Sequence, residues 1–224
     1  MNFSPLFGVY GAAGCGRGVM PLVRQQITGK GIATDRLVFV DDNPQAANIN
    51  GHKVMSYEEF LATSADERHI VLAIANSRIR ERLALCCEKD NVKSLSVIAA
   101  NVVMMDEIKL GEGAILSPFV TITSNIAIGR HFHANIYSYV EHDCIIGDFV
   151  TFAPGVQCNG NIVIKDHAYV GAGAVIKQGL PGNPLVIGCG ATIGMGAVVT
   201  KSVPAGATVI GNPARIMTIK DSKC

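Results

Sequence analysis

The stretch of this chain best equipped for chemistry is Glu141-His142-Asp143, a histidine set between two carboxylates. An imidazole near its unperturbed pKa of about 6.5 can take up a proton at neutral pH. A neighbouring carboxylate orients the ring and stabilises the imidazolium. This is the equipment of a general base. A second cluster lies near the N-terminus, where Gly11-Ala12-Ala13-Gly14-Cys15-Gly16-Arg17-Gly18 follows the apolar run Leu6–Tyr10. Small residues between a strand and a helix let the backbone approach a phosphate, and the helix start offers free N–H groups. By itself such a loop is as readily a structural turn. A third feature changes the balance: Asp41-Asp42 closes the strand-like Arg36–Val40, where an acid can accept hydrogen bonds from a ribose or base. Together the loop and the acid pair point to a nucleotide.

The elements that must position His142 are set by a repeat. Every sixth position from Leu110 through Leu116, Ile122, Ile128, Ala134, Val140, Ile146, Phe152, Cys158, Ile164, Val170 and Ile176 is apolar. The positions four later are apolar too, apart from Ser138. Neither a helix of period 3.6 nor a strand of period 2 keeps that register. A short fixed repeat marks a solenoid, whose units bury their apolar faces only by stacking. One short strand plus a corner fills six residues, and three such faces close one coil of a prism. Glycine often follows the buried position, as in Leu110-Gly111, Ile128-Gly129, Ile146-Gly147 and Val170-Gly171; the expectation is a corner needing unusual backbone angles. After Ile176 the register breaks and resumes at Ile187, so Gln178–Pro184 is expected to be a loop thrown out of one coil.

Upstream of the repeat the pattern predicts a small α/β unit. Its strands are Leu6–Tyr10, Arg36–Val40, His52–Met55, His69–Ala75 and Leu95–Ala99; its helices are Val19–Gln26 and Ser77–Asp90. Ser77 is a candidate cap, and Arg78, Arg80 and Arg82 are expected on the solvated face. The division is 1–100 for a Rossmann-like nucleotide-sugar-binding domain and 101–224 for the prism. A dinucleotide dehydrogenase needs a second βαβ half and a catalytic domain, which the first unit cannot hold. Its pocket therefore suits a nucleoside diphosphate carrying a sugar.

A net charge of +1 without a Lys/Arg-rich run leaves no footprint for nucleic acid or an anionic membrane. The sequence shows neither a signal-peptide pattern nor an apolar run of membrane-spanning length. Its seven cysteines lack zinc-site spacing, which fits reduced thiols in a cytoplasmic protein. His52, His69 and His167 are expected to be solvated, Glu141 to be a bystander on the other side of its strand, and Tyr137, Tyr139 and Phe149 to lie on an exposed prism face.

Taken together, the two halves resemble the hexapeptide-repeat sugar acyltransferases, in particular bacterial UDP-4-amino-sugar (bacillosamine-pathway) N-acetyltransferases. Sialic-acid-pathway O-acetyltransferases and perosamine N-acetyltransferases are similar relatives. The resemblance spans nearly the whole chain and is most specific in His142–Phe149, Pro154–Val156, Cys158–Ile162, Gly194–Lys201 and Val209–Arg215. It implies that the prism is a left-handed parallel β-helix. It also implies that His142 is the general base with Asp143, a Glu in many relatives, as its carboxylate partner. Sugar-nucleotide positions fall on Ala13, Gly14, Cys15, Asp41, Asp42 and Ala75, and acetyl-CoA positions on Thr151, Ala172 and Met195. Cys15 stands where relatives commonly carry His, and Thr151 where some carry a second His. The implied activity is direct transfer of acetyl from acetyl-CoA, without a metal, to the 4-amino group of a nucleotide-linked amino-deoxy sugar, by a homotrimer. Sugar O-acetylation and non-catalytic nucleotide-sugar binding are the alternatives. Zinc held between prisms by His131, His133 and His142, as in gamma-class carbonic anhydrases, is disfavoured because that class lacks the N-terminal unit.

Overall fold

The computed structural model describes residues 4–217, so the C-terminal Cys224 lies outside the described residues. The N-terminal unit is a twisted, mostly parallel sheet flanked by helices. Its elements are β1 (Leu6–Tyr10), α1 (Gly14–Thr28), β2 (Leu37–Val40), β3 (Asn48–Ile49), β4 (His52–Met55), α2 (Tyr57–Ala62), β5 (Arg68–Leu72), α3 (Ser77–Lys89) and β6 (Lys93–Ser94). The strand order is β3-β4-β2-β1-β5-β6. β1 and β2 are buried throughout, as central strands covered on both faces must be. α1 begins at Gly14, earlier than Val19, so most of the glycine cluster lies in its first turns rather than in a loop. Gly16 is required there, because a Cβ would stand 1.7 Å from the Gly11 carbonyl oxygen. α3 is capped by Asn76 rather than Ser77: its Oδ1 accepts from the Arg78 and Ile79 amides at 3.0 and 3.1 Å.

From Val97 onward the chain winds as a three-faced parallel β-helix. Partners one coil apart are eighteen residues apart: Ile115 with His133, Thr121 with Tyr139, Ala127 with Ile145. The three faces are an eight-stranded first sheet, a six-stranded second and a five-stranded third. Val97–Ile98, expected to close the α/β sheet, instead pairs with Ile115–Leu116 and opens the first sheet. The apolar register fills the prism interior, from Leu116 to Val209, as one buried cluster.

The glycines after the buried positions have a different cause from the one expected. Gly111, Gly129, Gly147 and Gly171 are not among the positive-φ residues. A Cβ at Gly129 or Gly147 would lie 2.2 or 2.1 Å from the carboxylate Oδ1 of Asp148 or Asp166 in the next coil. Close stacking of coils, not backbone angle, excludes a side chain there. The corners that do need positive φ form columns, Asn125, Asp143 and Asn161 at one and His131, Phe149 and His167 at another. Asx residues enter that region readily, whereas Phe does so at a cost of roughly 1–2 kcal/mol. In the second column the rings stack in compensation, with centroids 5.2 Å apart for His131–Phe149 and 5.4 Å for Phe149–His167.

The α/β unit sits against the first sheet. Val97 and Ile115 belong to its core with Phe7, Val19 and Val23, and Phe149 joins the core on its other side with Tyr10, Phe60 and Cys87. Phe149 is therefore a buried interdomain residue, not an exposed aromatic.

Candidate active site

His142 and Asp143 occupy the corner between the second and third sheets, between the strands Tyr139–Val140 and Ile145–Ile146. Asp143 takes a left-handed backbone, φ 57°, and this turn swings its carboxylate back onto its neighbour. His142 Nδ1 and Asp143 Oδ2 are 2.7 Å apart. Asn125, one coil earlier in the same corner column, donates through Nδ2 to the other carboxylate oxygen at 3.3 Å. The imidazole lies over Gly160, where a Cβ would stand 2.5 Å from Cε1. The hydrogen bond to Asp143 holds the His142 pKa above its ordinary value, with smaller help from the charges of Asp143 and Glu141. The same bond lowers Asp143, with a contribution from Asn125. With Nδ1 bound to the carboxylate, Nε2 is left to take a proton. Cys144 is buried behind this pair, its thiol turned to the Asn159 carbonyl at 3.2 Å. The irregular loop begins at the same corner: the Gly179 amide donates to the Gly160 carbonyl, and Leu180 and Asn183 close a bridge.

The expected nucleotide residues gather at the carboxyl end of the α/β sheet. Asp41 accepts from the Ala12 and Asn43 amides, each at 3.0 Å. Asp42 accepts from the Tyr10 hydroxyl and from the Tyr57 amide. The acid pair thus ties the loop before α1 to the end of β2, and Ala13, Gly14 and Cys15 are held at the surface beside it. Although Cys15 is solvent-exposed, partial desolvation raises its thiol pKa, against the opposite pull of Arg80.

Two clefts open where this edge meets the first sheet. One, about 330 Å³, runs between Gly14 and Cys15 and the prism residues Ser117, His133 and Asn135. The other, about 510 Å³, brings Ala75 together with Thr151, His167 and Tyr169. Arg80 is tied to both domains here, and its position corrects the expectation of a solvated arginine. It is 0 % exposed. Its guanidinium donates to the carbonyls of Ile74 at 2.7 Å and Phe149 at 2.7 Å and to Thr151 Oγ1 at 3.0 Å. Burial lowers its pKa to about 10. Helical spacing alone cannot reveal such a residue, because its partners are carbonyls of another domain.

Of the expected acetyl-CoA residues, Thr151 is buried under Arg80, whereas Ala172 and Met195 sit together at the corner between the first and second sheets. There the Gly196 amide donates to the Ala172 carbonyl at 2.8 Å and Met195 is 82 % exposed. The three groups of expected residues thus occupy different sides of one prism. His52 and His167 are buried, contrary to expectation, while His69 is half-buried against Phe7. His131 and His133 are buried at the domain interface, and among the described residues no group of three His, Cys, Asp or Glu is placed to hold a metal ion.

Residues 7–85 match the family described as the PglD N-terminal domain. The chain is 53% identical to the GDP-perosamine N-acetyltransferase of Escherichia coli O157:H7 over 95% of its own length and 96% of that protein. Among solved structures it is similar to WeeI from Acinetobacter baumannii AYE, with TM-score 0.93 and 57% identity over 96% of this chain and 100% of that one. It is also similar to the acetyltransferase domain of PglB from Neisseria gonorrhoeae FA1090 in complex with acetyl coenzyme A, with TM-score 0.81 and 27% identity over 97% and 100%. A Rossmann-like unit on a left-handed parallel β-helix, a histidine–carboxylate pair at a prism corner and these likenesses agree: the chain belongs to the hexapeptide-repeat sugar N-acetyltransferase family that includes the GDP-perosamine enzyme.

Proposed function

We propose that this protein transfers acetyl from acetyl-CoA to the 4-amino group of a nucleotide-linked 4-amino sugar, GDP-perosamine being the acceptor its E. coli relative names. The observation that carries the chemistry is the 2.7 Å contact between His142 Nδ1 and Asp143 Oδ2 at an exposed corner. The amine nitrogen attacks the thioester carbonyl and forms the C–N bond; the C–S bond breaks. His142 Nε2 takes the proton lost by the nitrogen and returns it to the leaving thiolate. Asp143, steadied by Asn125, stabilises the imidazolium in between. Acetyl-CoA is supported as donor by the likeness to the PglB acetyltransferase domain, whose complex contains it. Within one chain the cysteine next to the histidine, Cys144, is buried, which favours direct transfer.

One chain cannot bring the parts together. The nucleotide residues lie on the α/β unit over the first sheet, and His142 lies at the corner opposite that sheet. A six-residue face spans roughly 20 Å at about 3.3 Å per residue. The base of one protomer then serves the nucleotide cleft of its neighbour; a homotrimer is the assembly that the resemblance to the hexapeptide-repeat acyltransferases implies, with Ala172 and Met195 bordering the groove for the CoA chain. The two domains act as nucleotide-sugar binding unit and acyltransferase. Among the described residues no helix is long and apolar enough to cross a membrane; with acetyl-CoA as donor, the site of action is the cytoplasm.

The test is CoA release from acetyl-CoA with GDP-, UDP- and dTDP-linked 4-amino sugars, and with sialic acid as hydroxyl acceptor. Turnover on GDP-perosamine that drops about 10²–10⁴-fold in kcat/KM in His142→Ala supports the reading. Turnover on sialic acid alone, or a variant within a few-fold of wild type, refutes it.

A further inference from the structure

The corner between the first and second sheets is turned at positive φ in five successive coils, by Phe119 and Tyr137 and then by Gly155, Gly173 and Gly196. The turns lie one on another: the Gly155 amide donates to the Ile136 carbonyl and the Gly173 amide to the Pro154 carbonyl, each at 2.9 Å. A Cβ at any of the three glycines would meet nothing closer than 3.9 Å. Glycine therefore stands there for its backbone angle and not for lack of room. Phe119 and Tyr137 hold bulky rings at the same angle, which such residues adopt only at a cost. Burial returns little of it, since they are 52% and 61% exposed. Strain kept at an exposed position points to use. The two rings are stacked, with 4.8 Å between centroids and 3° between planes, the spacing of neighbouring strands. Phe119 thus covers one face of Tyr137. The other face looks along the corner to the next coil, where Gly155 carries no side chain. A ring laid over Gly155 becomes the third member of the stack. That place is continuous with the cleft of about 330 Å³: Ile136 and Pro154, which precede Tyr137 and Gly155, line it, with Gly14 and Cys15 across from them. Among the described residues no Asp, Glu, Lys or Arg lines this cleft, so its prism end suits the carbon ring of a nucleotide sugar rather than its phosphates.

We propose that Tyr137, backed by Phe119, is a specificity-determining residue of the sugar subsite, its free ring face carrying the C–H face of the phosphate-linked hexose above Gly155. This rests on the nucleotide-sugar reading above. An aromatic face is electron-rich and apolar, so it favours a sugar with few hydroxyls on the side it touches, as an amino-deoxy sugar has. The corner is open to solvent, so an amine held there is within reach of a neighbouring protomer's base.

Two measurements test it. In aromatic ¹³C NMR of the unaltered protein, the Tyr137 ring resonances move on titration with GDP-perosamine and stay in place with GDP. In kinetics, Tyr137→Gly raises KM for GDP-perosamine about fivefold, the usual loss for one aromatic contact, with kcat and the KM for acetyl-CoA unchanged; Tyr137→Phe, which keeps the ring, keeps the wild-type KM. Gly155→Asn keeps the ring and the corner's angle, which Asn125 and Asn161 adopt at φ 60° and 56°, but fills the place over Gly155, and raises KM to the same extent. Tyr137→Gly folds, since glycine turns this corner in three other coils, and the NMR arm needs no variant. Turnover of GDP-perosamine by wild type with an unmoved Tyr137 resonance, or with an unaltered KM in Tyr137→Gly, overturns the role of Tyr137 alone. So does a raised KM for acetyl-CoA, which assigns the ring to the donor, or a smaller assembly of Tyr137→Gly by sedimentation equilibrium, which assigns it to a second copy of the chain. A wild type inactive on every nucleotide-linked 4-amino sugar overturns the functional reading and this inference with it.

Discussion

Replacing Arg80 by Met tests whether the two domains are joined by the hydrogen bonds of one buried cation. The charge is expensive where it stands: burial lowers its pKa from 12.5 to about 10, which corresponds to roughly 3 kcal/mol against the charged form. Met removes that penalty and fills most of the volume. It also strips donors from the Ile74 and Phe149 carbonyls and from Thr151 Oγ1. A buried acceptor left unpaired costs about 1–3 kcal/mol, so three together outweigh the relief by about 2 kcal/mol. For a chain of this size each kcal/mol moves Tm by about 2–4 °C, and the expected fall is about 4–8 °C. Differential scanning calorimetry measures it. Hydrogen exchange adds the location, with protection lost first between Ala73 and Asn76, where β5 hands over to α3. Arg80→Lys should fall between the two, since an ammonium lacks the fork that spans both domains. A Tm equal to or above wild type in Arg80→Met would show that desolvation dominates and that these hydrogen bonds do not hold the interface.

Two further expectations concern the base. Because the Asp143 hydrogen bond raises the His142 pKa, the acid limb of kcat/KM lies above the ordinary histidine value of about 6.5, activity falling as pH drops through it and the base becomes protonated. Asp143→Asn should move that limb to lower pH while reducing the maximum, as a pH–rate profile will show; an unmoved limb contradicts the pairing. Gly160→Ala places a methyl against the His142 ring, 2.5 Å from Cε1. The exposed ring can swing aside, so stability by urea titration should change by less than about 1 kcal/mol. Displacement of a reacting group by about 1 Å should cost on the order of 10²-fold in kcat/KM, and wild-type activity would show the ring's position to be immaterial.

The sixfold apolar register determined the prism, its strands and its interior, because a coil buries the same positions at every turn regardless of what surrounds it. The strand–glycine–helix start placed an α/β unit ahead of it by the same local logic. The pairing of His142 with Asp143 was legible too, since neighbours in sequence cannot be far apart. Contacts made across long separations were not legible. Arg80 follows a helical pattern that reads as solvated, and only the arrival of Phe149 and Thr151, some seventy residues later, makes it a buried tie. Phe149 and His167 read as surface residues until the α/β unit covers their corner. Gly129 and Gly147 were recognisable as necessary, but the reason for them lies in the next coil's carboxylates, Asp148 and Asp166. The sequence alone determined what repeats and what is adjacent. The tertiary structure decided which corner faces the α/β unit and which faces away, since that depends on how two independently patterned surfaces dock.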